Sequence, residues 1–181
     1  METATLANGC FWCTETIFKR LKGVHKVTSG YTGGARKNPS YEQVSTGATG
    51  HAEAIQIEFD PSIIPFATLL DIFFHTHNPT TLNRQGNDIG TQYRSAIFYH
   101  DDEQKRIAQE KITELEIAQT FKDPIVTQIE PLEIFYPAED YHKDYYEKNK
   151  DKPYCTFVIN PKIAKLLEKY SEKVKEEYIP S

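Results

Sequence analysis

Little in this chain of 181 residues is strongly charged, long and apolar, or cross-linkable. No apolar run approaches the roughly 18 residues a membrane span requires, so a helical membrane protein is not expected. Lys and Arg form no run outside the C-terminal tail and the net charge is −5, which argues against a nucleic-acid partner. Three cysteines make no disulfide framework at this length, and an odd number fits a reducing compartment. The N-terminus has neither the basic nor the apolar region of a secretory signal, so the expected location is cytoplasmic. Met1 is the only methionine, for which chance is account enough. There is no internal repeat and no linker. A hydrophobic fraction of 39% suits a soluble protein able to bury a core unaided, so residues 1–181 are expected to form a single domain.

Against that plain background, Gly9-Cys10-Phe11-Trp12-Cys13-Thr14-Glu15 stands out. Glu2 to Ala7 reads as a strand. Thr14, Ile17, Phe18 and Leu21 follow the i, i+3, i+4, i+7 period of a helix, with Gly23 at its C-terminal end. Cys10 therefore falls at a strand-to-helix turn. Unpaired N–H groups and the positive end of the helix dipole favour a thiolate there, which is the reactive form. Cys13, one helical turn on, can reach Cys10 to form a disulfide.

The strand over His51–Phe59 carries a second anomaly. Ile55, Ile57 and Phe59 share one face, and the same parity includes Glu53. A carboxylate thus begins a core-facing row, where burial disfavours its charge and raises its pKa toward the range of a proton donor. Elsewhere the pattern predicts a strand over Val24–Tyr31 and an ordered loop over 35–50 around Pro39-Ser40-Tyr41. A helix follows from Pro65 to His77, then a long polar loop over 78–92, of a length that is usually functional. A strand over Tyr93–Tyr99, a capped helix from Asp101 to about Thr120 and one or two strands over Ile125–Phe135 come next. Ala138–Asn149 reads as a short helix and Tyr154–Ile159 as a last strand. Pro161 opens a charged C-terminal helix with one solvated face. Strands and helices mix without regular alternation. The predicted class is α+β, a two-layer sandwich with a mixed, mostly antiparallel sheet flanked by helices around a ferredoxin-like core.

A thiolate, a neutral acid and a second thiol suit a reaction in which sulfur attacks, an oxygen is protonated and a disulfide closes the cycle. Gly9-Cys10-Phe11-Trp12, Gly50-His51-Ala52-Glu53-Ala54, Arg84–Asp88 with Gly90–Ser95, and Ala138-Glu139-Asp140-Tyr141-His142 occur in that order. Together they resemble the methionine sulfoxide reductase A family over about Gly9 to Ile159. The resemblance implies reduction of L-methionine (S)-S-oxide, peptidyl or free, and so repair of oxidised proteins. It makes Cys10 the nucleophile and Glu53 the acid that protonates the sulfoxide oxygen. Tyr41 and Tyr93 would hydrogen-bond that oxygen, Asp88 would order the site, and Phe11 and Trp12 would seat the substrate's ε-methyl group. It implies no bound cofactor and an external dithiol reductant in thioredoxin; a monomer is the default expectation, since the sequence carries no signal of oligomeric state.

Many family members carry resolving cysteines in a glycine-rich C-terminal tail, whereas here no cysteine follows Cys155. Cys13 is accordingly the first choice for resolving the Cys10 sulfenic acid and Cys155 the second. Two other readings compete. Cys-x-x-Cys at a helix start also suits a dithiol–disulfide oxidoreductase, and the same thiols could serve a redox- or metal-sensing module. A zinc site from the three cysteines and a histidine lacks ligand spacing. His51 is expected to support its loop rather than act as a base.

Overall fold

The computed structural model describes residues 1–180. The chain opens with β1 (Glu2–Asn8), α1 (Phe11–Phe18), β2 (Val24–Thr32), α2 (Tyr41–Ser45), β3 (Ala52–Phe59) and α3 (Phe66–His75). A small hairpin follows, β4 (Arg84–Gln85) and β5 (Asp88–Ile89), then β6 (Ser95–Tyr99), α4 (Asp102–Ile117), β7 (Gln128–Pro131) and β8 (Tyr136–Pro137). The last helices are α5 (Tyr145–Lys148) and α6 (Asn160–Tyr170).

Six strands form one sheet in the order β7-β6-β1-β3-β2-β8. Every pairing is antiparallel except β6 with β7. The central run β6-β1-β3-β2 interleaves two split crossovers, β1-α1-β2 and β3-α3-β6, which is the ferredoxin-like core expected. One sheet face carries Leu6, Ile55, Ile57 and Ile97, packed against Phe18, Phe73, Ala108 and Leu166 of the helices. The other holds Ala7, Ala52, Ala54 and Ala96 with Phe98, against which Leu132 and Phe135 pack. Alanine there lets irregular chain lie close to the sheet. The fold is thus a single α+β domain with one helical layer, and no helix among the described residues is long and apolar enough to cross a membrane.

Several predicted elements shift. α1 begins at Phe11 and stops at Phe18, short of Leu21, because Leu21 pairs as an isolated bridge with Val174. Gly23, at φ +90°, turns the chain into β2 instead of ending the helix. The loop over 35–50 contains α2, begun by a full capping box between Ser40 and Gln43. Asp101 accepts from the Gln104 N–H at 2.8 Å as expected, but the Gln104 side chain turns to His100. The helix read over Ala138–Asn149 reduces to a 3₁₀ turn at Asp140–His142 and the four residues of α5. Past Tyr170 the tail stops being a solvated helix face, since Val174 is fully buried beside Leu21.

The largest correction concerns Tyr154–Ile159, which is helix and not strand. Cys155–Ile159 forms a π-helical turn running directly into α6. Pro161 has no N–H to offer and its ring crowds the carbonyl four residues back, so the helix widens just before it. Cys155 and Ile159 are buried, as are Leu166 and Tyr170. That is a helical spacing across the whole stretch, hidden in a short apolar run that suits either structure.

Candidate active site

Cys10 occupies the cap position before α1, as its place between strand and helix predicted. Gly9 makes the turn at φ +112°, and a Cβ built there would lie 2.9 Å from Cβ and Cγ of Gln85. Only glycine fits both demands. The expected thiolate, however, is opposed by burial. Cys10 keeps 8% of its surface, and loss of water pushes its thiol well above the ordinary range, helped by Cys13 and the Glu53 carboxyl, while the backbone N–H of Trp12 pulls the other way. The helix tip is real, but desolvation outweighs it in the unliganded site.

Glu53 faces the helical layer with Ile55 and Ile57, as its parity predicted, and is 1% exposed. Its Oε1 accepts the Phe11 N–H at 3.0 Å, in the first turn of α1. Burial raises its carboxyl to about 8, outweighing that hydrogen bond, with Asp88 and Cys13 adding repulsion. A strand and a helix distant in sequence thus bring a neutral acid beside the cysteine. Tyr41 and Tyr93, both half-buried, complete this side. Burial comes first in raising each phenol, Tyr41 to about 12, and the nearby Glu53 and Cys10 act on both.

Cys13 follows in the first turn of α1, in one buried cluster with Cys10. The neighbouring Cys10 thiol brings Cys13 down to about 7, against burial, and Lys162 assists. The Cys13 sulfur is 3.8 Å from the Tyr154 hydroxyl, which donates to Asp88 Oδ2 at 2.7 Å. Cys155 sits fully buried in the same cluster as Cys10 and Cys13. A cleft of about 470 Å³ opens over Cys10, walled by Asp88, Tyr154, Phe157 and Lys162. All three cysteines are free. Among the described residues no His, Cys, Asp and Glu cluster could hold a metal ion.

Trp12 and Phe11 divide differently from expectation. Phe11 is wholly buried, its ring 5.6 Å from that of Tyr31, whereas Trp12 keeps open surface. Tyr145 stacks on Trp12 at 3.7 Å and 7°, and the indole N–H donates to His142 Nδ1 at 3.0 Å. Glu139 accepts from the Tyr31 hydroxyl at 2.8 Å and from the Tyr41 N–H at 2.9 Å, tying β2 to α2. His51 accepts the Gly34 N–H and its other ring nitrogen meets the Arg36 carbonyl, which is the loop-supporting role expected. Sequence reasoning gave no site role to Glu139, His142, Tyr145 or Tyr154. Two lie in the quoted Ala138–His142 segment, so that motif was their available signal, and Tyr154 was misplaced with its strand.

Two thiols at a helix start, with a neutral carboxylic acid beside the first and phenols nearby, define a thiol-based oxidoreductase site. Comparison with known proteins narrows the class. Residues 2–175 match the family model described as peptide methionine sulfoxide reductase. The peptide methionine sulfoxide reductase MsrA of Saccharolobus solfataricus is 56% identical over 175 residues, covering 97% of this chain and 98% of that protein. Reduced Mxr1 from Saccharomyces cerevisiae superposes with a TM-score of 0.80 at 36% identity, over 85% of this chain and 88% of that one. Mxr1 in complex with Trx2 matches at 0.57 and 27% identity, over 80% and 84% of the two chains. The chain belongs to the peptide methionine sulfoxide reductase family.

Proposed function

We propose that this protein reduces the S epimer of methionine sulfoxide, free or in peptides, with Cys10 as nucleophile and Glu53 as acid. The observation that carries the reading is the Glu53 carboxyl, held against the Phe11 amide and kept neutral to about pH 8 beside a buried thiol. An amide would serve the Phe11 N–H as well, whereas a sulfoxide oxygen needs a proton to leave. The Cys10 sulfur attacks the sulfoxide sulfur while Glu53 protonates the oxygen. Tyr41 and Tyr93 hydrogen-bond the oxygen, and Trp12, backed by Phe11, receives the ε-methyl group.

Breaking the methionine–oxygen link releases methionine and leaves the oxygen on Cys10 as a sulfenic acid. The Cys13 sulfur then displaces it, giving a Cys10–Cys13 disulfide and water. The place of both thiols in one cluster and the lowered Cys13 pKa support this choice, because the thiolate is the attacking form. Cys155 is the second candidate by its place in the cluster. Asp88 orders the cleft by holding Tyr154. Thioredoxin, the kind of partner met in the Mxr1 complex, returns both thiols at the expense of its own dithiol. A reducing cytoplasm suits the free cysteines.

The test is single-turnover reduction of a methyl sulfoxide by the Cys13→Ser, Cys155→Ser double variant. One methionine per protein is expected, and none, with Cys10 intact, refutes the sulfenic-acid route. In the wild type under limiting sulfoxide, mass spectrometry should find the Cys10–Cys13 disulfide. A dominant Cys10–Cys155 bond transfers the resolving role.

A further inference from the structure

A second hollow, of about 510 Å³, abuts the cleft of Cys10 and shares Gln85, Pro161 and Lys162 with it. It lies where the end of α3 and the segment following α4 meet the start of α6. Lys122 and Lys165 join Lys162 on its walls, against Asp123 as the one lining carboxylate. None of these lysines forms a salt bridge among the described residues. His77 adds no charge to the floor, since it is buried, bonded to the Phe73 carbonyl and to Ser95, and held down to about 3 by desolvation. The sign of this surface is therefore opposite to that of the whole chain, whose net charge is −5. Phe157, 78% exposed, presents an apolar surface on the shared side of the cleft. Lys162 also acts on Cys13, but the cysteines and Glu53 account for neither Lys122 nor Lys165 nor the exposed Phe157.

We propose that this hollow is a substrate subsite for an acidic residue close in sequence to the oxidised methionine, so that the protein prefers acidic peptide segments. The inference rests on the reductase reading of the Cys10 site and names the substrate class for it. A compact hollow of this volume is about 10 Å across, and an extended peptide advances about 3.3 Å per residue. With the sulfoxide at Cys10, a neighbour two or three positions away passes over Gln85 and Pro161 and places its carboxylate among the three ammonium groups. Phe157 covers the intervening peptide. Free methionine sulfoxide in the Cys10 cleft does not extend to Lys122 or Lys165, which line only the second hollow, so their contribution is confined to peptidyl substrates.

The experiment compares kcat/KM, with dithiothreitol as reductant, for matched peptides carrying Asp, Ser or Lys at two and three positions on either side of methionine sulfoxide. N-acetyl-methionine sulfoxide is the small-substrate control. Lys122→Glu/Lys165→Glu is the variant, since both side chains are exposed and neither belongs to the catalytic set. At low salt the Asp peptides should exceed the Lys peptides by about fivefold, the scale of a few partly screened charge pairs, and the advantage should fade at 0.5 M salt, where the screening length is below about 5 Å. The double variant should reverse the order and leave the small substrate untouched. Equal rates for Asp and Lys peptides overturn the subsite, as does a preference that survives the double variant. A parallel assay replaces dithiothreitol by thioredoxin, and a variant whose only defect there is a raised KM for thioredoxin also overturns the subsite, since it would make the hollow a docking site for the reductant. Lack of turnover on the small control overturns the reductase reading itself, so the two failures are distinguishable.

Discussion

Replacing Glu53 by Gln separates the stability of this protein from its chemistry. Glutamine keeps the shape of the side chain and an oxygen for the Phe11 N–H, now 3.0 Å from Oε1. It cannot ionise and is a far weaker acid. Burial moves the Glu53 carboxyl from 4.5 to about 8. At about 1.4 kcal/mol per pH unit, this corresponds to about 5 kcal/mol between its protonated and ionised forms. Between pH 4.5 and about 8 the folded protein holds this proton while the unfolded chain has lost it. The unfolded state then binds fewer protons, so stability falls as pH rises through that window and levels off above it. Glu15, also raised by burial to about 7, produces a fall of the same sign over part of the range. It is common to both proteins, and the difference between them isolates Glu53.

Urea unfolding under reducing conditions should therefore show Glu53→Gln gaining several kcal/mol on the wild type between pH 5 and pH 9, with unchanged m-values. Single-turnover sulfoxide reduction should fall by about 10²–10⁴-fold, the usual contribution of a positioned general acid. The wild-type rate should itself decline above about pH 8 as Glu53 ionises. A stability difference independent of pH would refute the buried neutral carboxyl. Turnover within a few-fold of wild type would remove Glu53 as the acid.

Tyr154→Phe deletes the donor to Asp88 and the hydroxyl beside the Cys13 sulfur. Alkylation of Cys13 should then require higher pH, and disulfide closure near pH 7 should slow by up to about tenfold, the worth of one hydrogen bond. An unchanged alkylation profile would show that Tyr154 does not act on the thiol. Gly9→Ala should lower the unfolding free energy by roughly 1–2 kcal/mol for the left-handed backbone alone, and by more if Gln85 cannot move from its 2.9 Å approach. Because the turn aims Cys10, the rate should fall as well. Wild-type stability in this variant would mean the turn tolerates a side chain.

Local pattern was enough for much of this molecule. The parity of Ile55, Ile57 and Phe59 placed Glu53 on the helical side of β3, and it lies there, buried to 1%. Strand followed by helical periodicity put Cys10 at the start of α1. These features were legible because alternation and helical period are properties of adjacent residues. Tyr154–Ile159 was misread because a short apolar run satisfies both periods, and what decides between them is its packing against the thiol cluster.

Sequence by itself determined the inventory of this protein: a cysteine between strand and helix, a carboxylate in an apolar row and a second thiol one turn away. Tertiary structure alone decided their electrostatics. Burial reversed the expected ease of ionising Cys10 and made Glu53 neutral to about pH 8, while the neighbouring Cys10 thiol brought Cys13 down to about 7 against burial. The fold also delivered Tyr154 and Asp88 to the same cleft from segments 66 residues apart. Desolvation and hydrogen bonding depend on what surrounds a group in space, and no spacing along the chain records that.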